Sequence, residues 1–267
     1  MPACMRLCIS VIFLALVATL IFFADLFWMR FACVFVLICV ALAAIGEYYH
    51  IVSLKGYHPA KFLGSLASTA FLVAAAIAVH FAWAQSLPVF VLFASWVSFF
   101  LVYLFSGHRP LGNLAVSAFP IVYVTLPLGF ILPILYTWPD GKIWLYFLLA
   151  VTIGTDVGAY FVGSLIGRYR LAPYVSPHKT WEGAIGGTLV AVCLGFYAAD
   201  FLHISVAWAL FLAMSLSILG QFGDLSESLL KRDVGVKDSA NIPGLGGVLD
   251  IIDSLLFATP FLYFFRG

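Results

Sequence analysis

The chain has 267 residues, 64% of them hydrophobic and 9% charged, with a formal net charge of +1 and a mean hydropathy of +1.11. Soluble domains carry about 25% charge, so a water-soluble globular fold is excluded. The net charge itself selects no partner, and no nucleic-acid partner is expected. The five cysteines (Cys4, Cys8, Cys33, Cys39 and Cys193) are odd in number, lie in apolar stretches and form no CxxC pair. They indicate neither a disulfide framework nor a zinc site.

Long apolar runs with few charges predict spanning helices, since about 20 residues are needed to cross the hydrocarbon core. The runs are continuous rather than alternating, which favours helices over a barrel. Taken in chain order, nine spans are expected, roughly at 7–24, 29–48, 62–80, 87–105, 114–136, 143–165, 183–200, 205–223 and 245–265. The first, with a single cation before its apolar run and no small-residue cleavage site after it, reads as a retained span rather than a leader. Short connectors marked by Gly, Pro or charge separate the spans, among them "LKGYHPAK", "SGHRPLGN", "TWPDGK" and "GRYRLAPYVSPHKT". The expected fold class is therefore an all-α polytopic membrane protein. Residues 1–140 form an N-terminal set of helices, and residues 141–267 a C-terminal region that carries the polar motifs.

Arg6, Lys55, Lys61, Arg109, Arg168, Arg170, Lys179, Lys231, Arg232 and Lys237 fall on one side of this topology; Arg30, Lys142 and Arg266 fall on the other. The bias places the first group in the cytoplasm. A compact chain of this kind suits a bacterial cytoplasmic membrane. Trp28, Tyr48, Tyr49, Trp138 and Trp144 lie near span ends, as an interfacial aromatic belt predicts. The six histidines are dispersed and show no ligand spacing.

Two polar islands interrupt the apolar pattern. In the first, residues 155–187, Asp156 lies well inside the sixth span, where an ionisable group is a functional candidate by default. "SPHKTWEGAIGG" follows, placing Ser176, Lys179, Thr180 and Glu182 just before a helix whose N-terminal amides attract phosphate. Lys179 reads as a phosphate clamp, and Glu182 as its partner or as a helix N-terminal acid.

The second island is "GQFGDLSESLLKRDVGVKDSANIPGLGGVLDIIDS", residues 220–254. Asp224, Glu227, Ser228 and Lys231 recur at spacings of three and four and share a helix face. Asp250, Asp253 and Ser254 repeat the pattern at the start of the last span. Between them, cations, a proline and closely spaced glycines form a segment whose backbone can approach a phosphate. Oxygen ligands without His or Cys suit a hard cation such as Mg²⁺. Carboxylates, cations and glycines together are what phosphoryl or nucleotidyl transfer requires.

The two islands together closely resemble the phosphatidate cytidylyltransferases, or CDP-diacylglycerol synthases. The pattern is carried by Ser228, Lys231, Arg232, Lys237, Asp238, Pro243, Gly244, Gly246, Gly247, Asp250 and Asp253. It is densest over residues 150–260, and the N-terminal part agrees only in character. Leu245 and Ile251 stand where the family more often has His and Arg, and neither is a metal ligand.

The resemblance implies that phosphatidate attacks the α-phosphate of CTP to give CDP-diacylglycerol and pyrophosphate. It implies Mg²⁺, with or without a second cation, held by Asp224 and Asp250 with Asp253 in support. Lys231, Arg232 and Lys237 would hold the triphosphate or the lipid headgroup, and Asp238 would orient a cation or the ribose. Asp156, Ser176, Lys179, Thr180, Glu182, Ser228, Gly246 and Gly247 complete the expected substrate contacts. A homodimer facing CTP from the cytoplasm is the expected assembly.

Other readings are weighed against this one. A transporter would spread its polar groups near mid-bilayer over several spans, whereas here they gather toward one face. A CDP-alcohol phosphotransferase would show a long Asp-Gly/Ala-Arg motif that is absent. A CTP-dependent lipid kinase, an enzyme acting on another lipid phosphate and an inactive homologue remain as alternatives.

Overall fold

The structure, a computed structural model, describes residues 15–106, 110–236 and 247–266. Among these, eight helices are long and apolar enough to cross a membrane. They are α1 (Phe27–Leu54), α2 (Lys61–His80), α3 (Leu87–Ser106), α4 (Pro110–Thr137), α5 (Gly141–Ile166), α6 (Trp181–Leu202), α7 (Val206–Val234) and α8 (Val248–Phe265). Each matches an expected span, and the protein is an all-α polytopic membrane protein. Of the remaining expected span, at 7–24, residues 15–22 are helical and residues 7–14 lie outside the described residues.

The chain divides into two compact units, Met1–Thr137 with Asp238–Ile251, and Trp138–Lys237 with Ile252–Gly267.

In the first unit, α4 is not a regular helix. Pro120 and Pro127 lack the amides that an α-helical ladder needs, and Ile121–Thr125 between them winds as a π-helix. The irregular stretch is tied to its neighbour by Thr125, whose hydroxyl donates to Ser68 Oγ at 2.9 Å. A buried polar network pins the connector before α2. Tyr49 Oη donates to the Ser117 carbonyl at 2.7 Å, and Tyr103 Oη donates to the His58 carbonyl at 3.0 Å. The backbone amides of His58 and Ala60 donate to Asn113 Oδ1 and Ser117 Oγ, both at 2.9 Å.

This overturns part of the expected aromatic belt. Tyr48, Tyr49 and Trp144 are buried, whereas Trp28 is 79% exposed. A tyrosine two turns from a helix end can turn inward where a buried carbonyl accepts its hydroxyl.

In the second unit, α5, α6 and α7 pack as a bundle, with the closest approach between α5 and α6 along a seam of glycines. A Cβ at Gly187 would sit 2.5 Å from the Thr155 carbonyl oxygen, and one at Gly158 would sit 3.1 Å from Gly187 Cα. Gly158, Gly183 and Gly187 therefore let two backbones touch, the arrangement that holds membrane helices together where no hydrophobic force acts between them. A second approach joins α7 to α8, since a Cβ at Gly223 would collide with the Asp253 carbonyl.

Residues 167–180 are expected as a connector between spans. They fold as a two-stranded antiparallel hairpin, β1 (Arg170–Ala172) and β2 (Ser176–Thr180), pairing Arg170 with Thr180 and Ala172 with Ser176. The Trp181 amide donates to the Tyr169 carbonyl at 2.9 Å and closes the hairpin onto α6.

Replacing Gly187 with valine should force α5 and α6 apart and cost about 1–3 kcal/mol, the usual penalty for overpacking. Thermal inactivation of the detergent-purified variant would show it as a clear drop in midpoint. An unchanged midpoint would mean that the two backbones are not in contact there.

Candidate active site

Several polar residues of the second unit gather around a cavity of about 490 Å³, walled by α5, the hairpin, α6 and α7. Its polar lining includes Asp156, Ser164, His178, Lys179, Gln221 and Asp224, and its apolar part Ala159, Leu171 and Ala184 with the ring of Tyr160. Lys179, from β2, forms an ion pair with Asp224 Oδ2. Asp156 and Asp253 each interact electrostatically with Asp224 and with Lys179, and with one another. Carboxylates from α5, α7 and α8 therefore share the field of a lysine ammonium, in a setting where each would be costly alone.

The chain builds this cluster from local pieces. Thr180 is the N-cap of α6, its Oγ1 accepting from the Gly183 amide at 3.2 Å. Glu182, in the first turn, accepts the Tyr169 amide through both oxygens, at 3.2 and 3.3 Å. It is thus the helix N-terminal acid of the two roles expected for it, and it clips the hairpin rather than pairing with Lys179. Arg232 holds the hairpin from the other side, Nε donating to the Val175 carbonyl at 3.1 Å. With both ends fixed, β2 presents Lys179 to Asp224. Ser176 opens the same strand.

Close packing brings in the last carboxylate. Gly223 lies against the Asp253 backbone, so the residue before Asp224 admits α8 at the point where Asp253 emerges. Asp253 Oδ1 accepts the Ser254 amide at 2.5 Å, and Ser228 Oγ donates to Asp224 Oδ1 at 3.5 Å.

Lys231, expected to hold phosphate, pairs with Glu227 one turn away; the two side chains are 10% and 1% exposed. The chain ends α7 with Gly235 at φ +78°, a conformation that suits glycine. Arg232 Nη1 reaches the Val236 carbonyl at 3.2 Å, beside that turn.

Asp250 belongs to the first unit. There its Oδ2 accepts the Gly247 amide at 2.7 Å, at the start of α8. Lys237, Asp238 and Gly246 lie outside the described residues, as do Pro243, Gly244 and Leu245. Among the described residues, no three His, Cys, Asp or Glu side chains have metal-ligand spacing.

Two residues escaped the sequence reading. Gln221 lines the cavity, its Nε2 donating to the Ala184 carbonyl at 3.3 Å and to Thr188 Oγ1 at 3.1 Å. It lies one turn before Asp224, and that spacing was the available signal. Glu47 is a carboxylate in an apolar span, a signal of the same kind as Asp156. Its oxygens accept the amides of Val248 at 2.8 Å and Leu249 at 2.9 Å.

The sequence pattern of the cytidylyltransferase family matches residues 5–267. This chain belongs to that family. A phosphatidate cytidylyltransferase of Chlamydia pneumoniae is 33% identical over 246 residues, 83% of this chain and 79% of its own length. Those of Bacillus subtilis and Brucella suis are each 47% identical, over 127 and 129 residues, which is about half of the chain and half of each relative. Within the family frame, the cavity with its carboxylates and Lys179 is the candidate catalytic centre.

The Lys231–Glu227 pair gives a test that separates structural from catalytic duty. Lys231→Met alone should cost about 3–5 kcal/mol, because it strands a buried carboxylate. Lys231→Met with Glu227→Leu should recover most of that stability. A stable double variant without turnover would assign Lys231 to the substrate as well, and one with normal turnover would confine it to the fold.

Proposed function

We propose that this chain transfers a cytidylyl group from CTP to phosphatidate, giving CDP-diacylglycerol and pyrophosphate for phospholipid synthesis. The observation that carries the reading is the Lys179–Asp224 pair in a cavity flanked by Asp156 and Asp253, within a chain of the cytidylyltransferase family.

In the reaction a phosphate oxygen of phosphatidate bonds to the α-phosphorus of CTP. The bond from that phosphorus to the bridging oxygen of the β-phosphate breaks, and pyrophosphate leaves with the electron pair. Nucleophile and electrophile are both anions, so the site must screen their repulsion. Lys179 is placed for that task. Once a triphosphate competes for its ammonium, the pair with Asp224 opens and frees the carboxylate. Because the nucleophile is already an anion, no side chain has to remove a proton from it. Thr180 and the first amides of α6 lie beside the same cavity, where a helix N-terminus favours phosphate.

The donor set fits Mg²⁺. That cation takes one or two carboxylates and completes its shell with substrate phosphates and water, and Asp224 with Asp253 supplies such a pair. When bound, Mg²⁺ would neutralise triphosphate charge as the leaving group departs. Asp250 enters as a further catalytic carboxylate through its motif position. A homodimer accompanies the proposal on the strength of the same resemblance.

The site is proposed to face the cytoplasm. Arg168, Arg170 and Lys179 follow α5, and Lys231 and Arg232 end α7, as the positive-inside rule requires of a cytoplasmic end. The apolar part of the cavity, with Tyr160 and Leu171, suits the glycerol end of a lipid whose tails stay in the bilayer.

Pyrophosphate release by the detergent-purified protein, given CTP, Mg²⁺ and phosphatidate, tests the reading. Release should require the lipid, and Asp224→Asn should lower it by roughly 10²-fold or more, the scale of losing one preorganised electrostatic group. Release with another lipid phosphate but none with phosphatidate would overturn the substrate assignment. Undiminished release by Asp224→Asn would overturn the site.

A further inference from the structure

The last helix begins in an unusual way. A helix start leaves its leading amides without partners inside the helix, and a side chain close in sequence commonly supplies the cap. At the start of α8 the Gly247 amide is taken by Asp250 Oδ2, three residues on, as in the acidic half of a capping box. The amides of Val248 and Leu249 are taken by the two oxygens of Glu47, about 200 residues earlier, on α1. Two carboxylates thus saturate three successive amides, and both lie at the positive end of the helix dipole.

Glu47 is partly buried in a 28-residue helix of strongly apolar character. An ionised group there is costly unless a specific partner holds it. The bidentate grip on α8 supplies that partner and fixes the rotation of the first turn of α8 about its axis. Asp250 sits in that turn, with one oxygen already held by the Gly247 amide.

We propose that Glu47 is a positioning residue for cytidylyl transfer. From α1 it fixes the first turn of α8 and, through it, the direction in which Asp250 presents its carboxylate. The inference rests on the reading of Asp250 as a catalytic carboxylate. It deepens that reading by giving the N-terminal half of the chain a definite part in the chemistry. A displacement of about 1 Å at a reacting group can cost roughly 10²-fold in rate. The grip on α8 therefore has kinetic weight although Glu47 itself touches no reactant.

The substitution Glu47→Gln keeps the side-chain shape but sets an amide NH₂ against one of two backbone N–H donors. Glu47→Asp keeps both oxygens on a shorter stem. Turnover, KM for CTP and thermal-inactivation midpoint would be measured for both, beside Asp250→Asn and the unsubstituted protein. The expected result is a roughly 10- to 10²-fold fall in kcat for Glu47→Gln, with KM for CTP unchanged and the midpoint close to that of the unsubstituted protein. Glu47→Asp should recover much of the lost kcat. A constant KM with a lowered kcat marks an interaction felt in the transition state.

Unchanged kcat in Glu47→Gln beside an inactive Asp250→Asn overturns the inference alone. A large drop in midpoint with normal kcat in the folded fraction does the same, reducing Glu47 to a structural cap. Normal turnover by Asp250→Asn overturns the assignment of Asp250, and the inference with it.

Discussion

In a hydrocarbon phase no water completes an unmet hydrogen bond or shields a charge, so every polar group in this chain needs a partner from the protein. The polar sites described above are solutions to that requirement. Asp224 meets Lys179, Glu227 meets Lys231, and Glu47 meets two backbone amides of α8. The partnerships differ in what they leave available. Lys231 and Glu227 are almost fully enclosed and close on each other. Lys179 and Asp224 are each about 30% exposed and line an open cavity. A pair of the second kind can be exchanged for a ligand.

Backbone proximity is the second theme of the C-terminal unit. Helices without side-chain bulk between them bring their polar residues within reach of one another. Gly187 admits Thr155 and Ala159, and Gly223 admits Asp253 beside Asp224. The hairpin adds a rigid arm held at Glu182 and Arg232. Together these features converge side chains from three helices and a strand.

Much of this was legible in the sequence, because hydropathy over 18 or more residues is a strong signal and spans follow directly from it. Asp156, Lys179, Asp224 and Asp253 were legible too, as charges out of place in an apolar chain. The hairpin was not, since strands of three and five residues carry too little alternation to register. The partner of Lys231 was present as an i, i+4 spacing, yet nothing in the spacing showed that the pair would be buried. The grip of Glu47 on Val248 and Leu249 joins positions about 200 residues apart, which periodicity cannot connect. Tyr48, Tyr49 and Trp144 misled because an aromatic near a span end looks the same whether it faces headgroups or a neighbouring helix.

The glycine seams also set the terms on which this sequence can drift. Phe93 and Phe100, both more than half exposed on α3, face surroundings that accept any apolar side chain, and selection there is weak. Positions 187 and 223 tolerate nothing larger than a hydrogen atom without moving a backbone. Variation among descendants of this chain should therefore be generous on the outward phenylalanines and nearly absent along lines where two helices touch. Those lines would remain readable long after the lipid-facing surface had lost its ancestry.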